Sequence, residues 1–197
     1  MTAEQRATGG TPAPVPVANA ANALTALRLV LIPIFIGLVV ASQMTHPGWR
    51  MLACVAFCVA SLTDFVDGWI ARRWGLVTPF GKVADPLADK ALTGTALVLL
   101  SAYHQVAWWV TAVILTREIG VTLLRFWVIR LGVIAASRGG KAKTALQILA
   151  IAWYLWPFPP GLAAVAPWIM AAAIAITVLT GLDYALRALR LRRAGRG

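Results

Sequence analysis

The sequence predicts an all-α integral membrane protein: six transmembrane helices, a cytosolic-side active site and both termini cytoplasmic. Three observations carry that reading. Of the 197 residues, 60% are hydrophobic and only 13% are charged, too little polar surface to clothe a soluble domain of this length. The apolar residues gather into six stretches, each near the roughly 20 residues that cross a bilayer. Basic residues collect in alternate connections between those stretches.

The chain opens with "MTAEQRATGGTPAPVPVA", residues 1–18. Its Ala, Pro, Thr and Gly read as a disordered tail, and it lacks the three-part pattern of a signal peptide. The apolar stretches follow at 23–43, 50–72, 83–103, 106–130, 142–158 and 161–187. Cys54 and Cys58, one turn apart in the second, read as small packing residues rather than a disulfide or metal pair. "WPFPPG" separates the fifth from the sixth, because proline blocks helix continuation and glycine permits a turn. The domain runs from 19 to 190, and residues 191–197 form a basic C-terminal tail.

The connections set the orientation. Arg6 precedes the first span. Arg72, Arg73 and Lys82 follow the second. Arg130, Arg138, Lys141 and Lys143 follow the fourth, and five arginines close the chain. The opposite side carries only Arg50 in its connections. The positive-inside rule puts the basic side in the cytoplasm. Trp49, Trp108, Trp109, Trp156 and Trp168 then fall at the far interface, as an aromatic belt does. The net charge of +11 points to anionic partners, and apolar spans beside it favour lipid headgroups over nucleic acid.

Acid is scarce and concentrated. Four of the seven acidic residues lie in "SLTDFVDGWIARRWGLVTPFGKVADPLADK", residues 61–90. Asp64 and Asp67 are three apart at the end of one span, and Asp85 and Asp89 are four apart at the start of the next. Each pair shares a helix face. Gly75, Pro79 and Gly81 suit a tight turn between them, and Pro86 suits a first helical turn. Four close carboxylates repel one another unless cations intervene. Oxygen donors suit Mg²⁺, Mn²⁺ or Ca²⁺, and zinc is disfavoured without nearby His or Cys. Two such ions are a common phosphoryl-transfer device. Gly68, Ala71 and Gly81 leave room for a phosphate-bearing ligand, and Arg72 can pair with its oxygens. The plainer alternative makes these aspartates helix caps or surface ion pairs, Asp85 before Pro86 being the best cap candidate.

The stretch reads D-x-x-D-G-x-x-A-R-x8-G-x-x-x-D-x-x-x-D, through Asp64, Asp67, Gly68, Ala71, Arg72, Gly81, Asp85 and Asp89. This resembles the signature of the CDP-alcohol phosphatidyltransferases. The resemblance implies a six-helix membrane enzyme, usually a homodimer, that moves a phosphatidyl group from CDP-diacylglycerol to an alcohol and releases CMP. It implies two divalent cations, Mg²⁺ or Mn²⁺, on Asp64, Asp67, Asp85 and Asp89, with Asp89 also the general base. It implies CDP contacts from Gly68, Ala71, Arg72 and Gly81.

"NAANALTALRLVLIP", "WWVTAVILTREIG" followed by Leu124-Arg125, and "GGKAKT" look like the branch of that family that makes phosphatidylglycerophosphate. On that likeness Asn22 and Arg28 join the CDP contacts, although "AANA" lacks the proline often present before the second Asn, and the acceptor-phosphate pocket is the alternative place for Arg28. The acceptor is then glycerol 3-phosphate, and the setting is the inner, cytoplasmic membrane.

An anionic acceptor needs a cationic pocket. Arg117 and Arg125 lie eight apart in the fourth span, near one face, and charge inside a span is costly unless it meets a polar cavity. Lys141 and Lys143 stand at the mouth of the fifth, just after Arg138. These five are the candidate acceptor-phosphate ligands. The plainer alternative pairs Arg117 with Glu118 or another helix and leaves Arg138, Lys141 and Lys143 to fix topology. Rival acceptors are inositol phosphate and phosphatidylglycerol. A divalent-cation transporter is the rival of a different class, but it needs acids near mid-membrane. His46 and His104 fall on the far side and receive no catalytic role.

Overall fold

The computed structural model describes residues 20–74, 79–128 and 138–194; the side chains of 20–22, 64–65, 67–74, 79–86, 125–128, 138–139 and 189–194 lie outside that description. Among the described residues every regular element is a helix: α1 Ala20–Ser42, α2 Pro47–Trp74, α3 Pro79–Ala102, α4 Trp108–Val128, α5 Arg138–Leu155, the single turn α6 Pro160–Ala163, and α7 Ala166–Ala194.

Short links fold these helices back on one another. The α1–α2 turn bends through positive φ at Gln43 and Met44, and the α3–α4 turn through His104. The Ser42 hydroxyl donates to the Val39 carbonyl and accepts from the Met44 amide, closing the first turn. In α5, Trp153 donates its indole N–H to the Leu162 carbonyl at 2.9 Å and packs on Phe158 at 4.6 Å. Those contacts fix the "WPFPPG" break. All three links therefore lie at one end of the bundle. They carry Trp49, Trp108, Trp109 and Trp168, which are exposed, together with Trp156, His46 and His104.

Arg50 explains the one basic residue on that side. Its guanidinium donates to the carbonyls of Tyr154, Leu155 and Trp156. A cation at a helix C-terminus satisfies carbonyls that have no partner within the helix. Arg50 thus ties α2 to the end of α5.

The core is a narrow apolar seam. Phe35 and Val39 of α1 meet Phe57 and Ala60 of α2, with Leu97 and Leu100 of α3, Ile114 of α4 and Ile151 of α5. Phe35 and Phe57 stand 5.8 Å apart, tilted by 44°. Thr111 of α4 donates to the Leu97 carbonyl and lies 2.7 Å from Ser101. A hydroxyl has one proton to give, so Ser101 is the donor in that pair.

Many large apolar side chains face outward, among them Leu62, Leu123, Leu179 and Leu182. The stretches Ala23–Ser42 and Pro160–Ala188 are long and apolar enough to cross a membrane, and the most apolar 18-residue window of each is only 22% buried within the chain. The core helix of a soluble protein would be mostly buried, so these two features together point to a membrane protein.

Three details differ from the sequence expectations. Helix α3 starts at Pro79, so Pro79 and Gly81 form its first turn instead of a loop. Asp85 and Pro86 then sit inside the helix: Asp85 is no N-cap, and Pro86 withdraws a donor from the ladder. Helix α5 begins at Arg138, four residues before its apolar stretch, because hydropathy marks the lipid boundary and not the hydrogen-bonding limit. The last span divides into α6 and α7, and α7 continues to Ala194, so the basic tail begins as helix. Residues 1–18 and Gly75 lie outside the described residues.

Candidate active site

The end of the bundle opposite the tryptophans collects the charged residues. α2 carries Asp64 and Asp67 in its second half, and α3 carries Asp85 and Asp89 in its first half. The two helices are close in sequence and pack together, so all four positions lie toward their joined ends. Asp89 is half-buried. The side chains of Asp64, Asp67 and Asp85, and of the expected nucleotide contacts Asn22, Gly68, Ala71, Arg72 and Gly81, lie outside the described residues. Among the described residues no three metal-ligating side chains gather. The donor set suits hard divalent cations. It consists of carboxylates, while Cys54, in the apolar part of α2, is turned to the Ala152 carbonyl.

Arg28 arrives at this end from α1. It is 0% exposed, as is Phe35, and Thr25 one turn before it is buried as well. The stripe Thr25, Arg28, Phe35, Val39 and Ser42 is the face that α1 turns inward, and its charged member, Arg28, lies in the first turns. α1 packs on both α2 and α3, which puts a buried guanidinium at the end where their aspartates lie.

The second polar cluster joins α4, α5 and α7. Glu118 accepts from Arg117 Nη1 at 3.1 Å and from Lys143 Nζ through the same oxygen, Oε1. Side-chain exposures are 15% for Arg117, 18% for Glu118 and 8% for Lys143. Arg117 also donates Nε to the Thr177 carbonyl at 3.2 Å and Nη2 to Thr180 Oγ1 at 2.9 Å. Three of its five N–H groups are therefore committed. Asp89 and Lys90 lie on α3, which packs against both α4 and α5, the helices that carry Arg117, Glu118 and Lys143.

The remaining expected cations divide. Lys141 is exposed in the first turn of α5. Arg125 in α4 and Arg138 in α5 have side chains outside the described residues. Sequence reasoning anticipated the Arg117–Glu118 contact but missed Lys143 on the same carboxylate. It also missed Thr177, Thr180 and Gly181, although T-V-L-T-G at 177–181 places polar and small residues on one face of an otherwise apolar helix.

Acid on two adjoining helix ends with a buried basic cluster on neighbouring helices suits phosphate chemistry, and the family match supplies the class of enzyme. The chain belongs to the CDP-alcohol phosphatidyltransferase family, whose model matches residues 18–179. It is 49% identical over 174 residues to a probable phosphatidylglycerophosphate synthase of Mycobacterium tuberculosis, covering 88% of this chain and 83% of that protein. It is 42% identical over 144 residues to the CDP-diacylglycerol–glycerol-3-phosphate 3-phosphatidyltransferase of Escherichia coli K12, covering 70% of this chain and 77% of that protein. A protein of the same description from Salmonella typhimurium is 41% identical over 144 residues, with the same coverage.

Proposed function

We propose that this protein transfers the phosphatidyl group of CDP-diacylglycerol to glycerol 3-phosphate, giving phosphatidylglycerophosphate and CMP. The observation that carries the proposal is the eight-residue aspartate signature on two adjoining helix ends, in a chain whose relatives bear that enzyme's name. The reading also takes the protein as a homodimer of six-span subunits in the inner membrane, with the site facing the cytoplasm. The domain is residues 19–190.

In the proposed mechanism, Asp64, Asp67, Asp85 and Asp89 hold two divalent cations, Mg²⁺ or Mn²⁺. Bound there, the ions supply charge neutralisation for the pyrophosphate and for departing CMP. The protein supplies the rest. Asn22, Arg28, Gly68, Ala71, Arg72 and Gly81 seat the CDP group, the small residues allowing close approach to the backbone. Arg117, Arg125, Arg138, Lys141 and Lys143 attract and hold the acceptor phosphate, with Lys143 kept in place by Glu118. Asp89 takes the proton from the 1-hydroxyl of glycerol 3-phosphate as that oxygen bonds to the β-phosphorus. The bond from that phosphorus to the CMP oxygen breaks, and CMP leaves with the electron pair. The packing of α3, which carries Asp89, against both α4 and α5 supports a shared pocket for base and acceptor phosphate.

Purified protein in CDP-diacylglycerol micelles tests this directly. CMP should be released when glycerol 3-phosphate is added. Release only with inositol phosphate or phosphatidylglycerol would replace the acceptor, and cation flux without CMP would replace the class.

A further inference from the structure

The last helix holds more than a lipid-facing span requires. Thr177, Thr180 and Gly181 line one face of α7, and Arg117 of α4 lies across them. A Cβ on Gly181 would stand 3.0 Å from Arg117 Cγ, 3.3 Å from Nε and 3.7 Å from Cδ. An alanine there would press on the arginine stem and shift it by a few tenths of an ångström. Thr180 Oγ1 lies 2.7 Å from the Ile176 carbonyl and 3.1 Å from the Thr177 carbonyl. Its one proton goes to those carbonyls, so a lone pair is turned to Arg117 Nη2. The Thr177 carbonyl takes Nε. Two bonds to a planar fork fix its orientation, and the third nitrogen, Nη1, is thereby aimed at Glu118 Oε1. That same oxygen carries Lys143.

We propose that the Thr177–Gly181 step of α7 is a positioning element for the acceptor phosphate: Thr180 and Gly181 seat Arg117, which orients Glu118 and, through it, Lys143. The proposal rests on the reading of a phosphorylated acceptor given above. Thr180 and Gly181 lie just past residue 179, where the family match ends, so the assignment comes from this chain's own contacts. A purely structural role, in which Arg117 only ties α4 to α7, predicts something different. It would lower stability and active fraction alike, and it would not single out one substrate.

The test is steady-state CMP release by the full-length protein, with each substrate varied in turn. Thr180→Val keeps the shape and removes the acceptor oxygen. It should raise KM for glycerol 3-phosphate about tenfold, the worth of one hydrogen bond to a charged group, and leave KM for CDP-diacylglycerol unchanged. Thr180→Ser should restore the wild-type value. Gly181→Ala should shift the same constant in the same direction. On an Arg117→Lys background, which cannot form the fork, Thr180→Val should add nothing. The proposal is overturned if Thr180→Val leaves the acceptor KM unchanged, if both substrates' constants move together, or if Thr180→Ser behaves like valine. Failure of the functional reading shows in a different place, the wild type itself. If wild-type protein uses inositol phosphate, the same split should follow that acceptor. If it uses no phosphorylated acceptor, both proposals fall.

Discussion

Glu118→Gln is the most informative single change. The carboxylate is 18% exposed and serves two cations through one oxygen, Arg117 at 15% and Lys143 at 8% exposure. Glutamine keeps the shape and one acceptor oxygen but removes the charge. Arg117 retains Thr177 and Thr180, so its loss is partial. Lys143 has no second hydrogen-bond partner of that kind among the described residues. Breaking a buried pair by neutralising one member typically costs about 3–5 kcal/mol, because the other charge is left uncompensated. With a neutral oxygen still in place, the low end applies, about 3 kcal/mol. For a chain of this length that corresponds to a fall in Tm of roughly 6–12 °C. The assay is thermal unfolding in detergent, followed by a tryptophan signal. Adding Lys143→Met should recover part of the loss, since a buried apolar side chain needs no counter-charge. A Tm within 1 °C of wild type, about the noise of such a scan, or a double mutant worse than the sum of its parts, would refute the argument.

Other outcomes follow from the same geometry. Asp89→Asn should lower CMP release by at least about 10²–10⁴, the usual worth of a general base, and chelation of divalent cations should abolish release until Mg²⁺ or Mn²⁺ is restored. Arg50→Met should lower stability by about 1–3 kcal/mol, since it strips the Tyr154, Leu155 and Trp156 carbonyls of a charged donor, and should leave kcat unchanged because it lies at the opposite end of the bundle. Thr177→Val should be neutral or mildly stabilising in a melt: the hydroxyl is fully buried with no hydrogen-bond partner among the described residues, and replacing such a group by an apolar isostere removes a desolvation penalty. Phe57→Ala should cost about 3–5 kcal/mol, measured as a loss of Tm, because the ring is fully buried against Phe35.

What could be read from the sequence was local. The aspartate signature spans 26 residues, from Asp64 to Asp89, and its chemistry follows from spacing on two helices. The helical elements were legible for the same reason, since apolar length is a property of a single stretch. Their ends were not. Pro79, Gly81 and Arg138 look like turn or loop residues, yet they lie within helices, where the ladder continues past the apolar boundary.

The long-range partners were hidden in a more basic way. Arg117 meets Thr177 and Thr180 across 60 and 63 residues, and Lys143 meets Glu118 across 25. Nothing in the neighbourhood of any one of these residues specifies the other. Arg50 makes the same point from the opposite side. By charge counting it is an exception to the positive-inside rule, and only the approach of α5, more than 100 residues away, turns it into a cap. Both cases have one physical cause. A charge inside or beside a membrane span needs a partner, so its presence in the sequence announces that a partner exists without saying which. The Arg117–Glu118 neighbours satisfied that demand on paper, and that is why the larger cluster went unsuspected. A lysine and a threonine from other helices give Arg117 and Glu118 more partners than mutual neutrality asks for, and that surplus is the ground on which we propose a positioning role for α7.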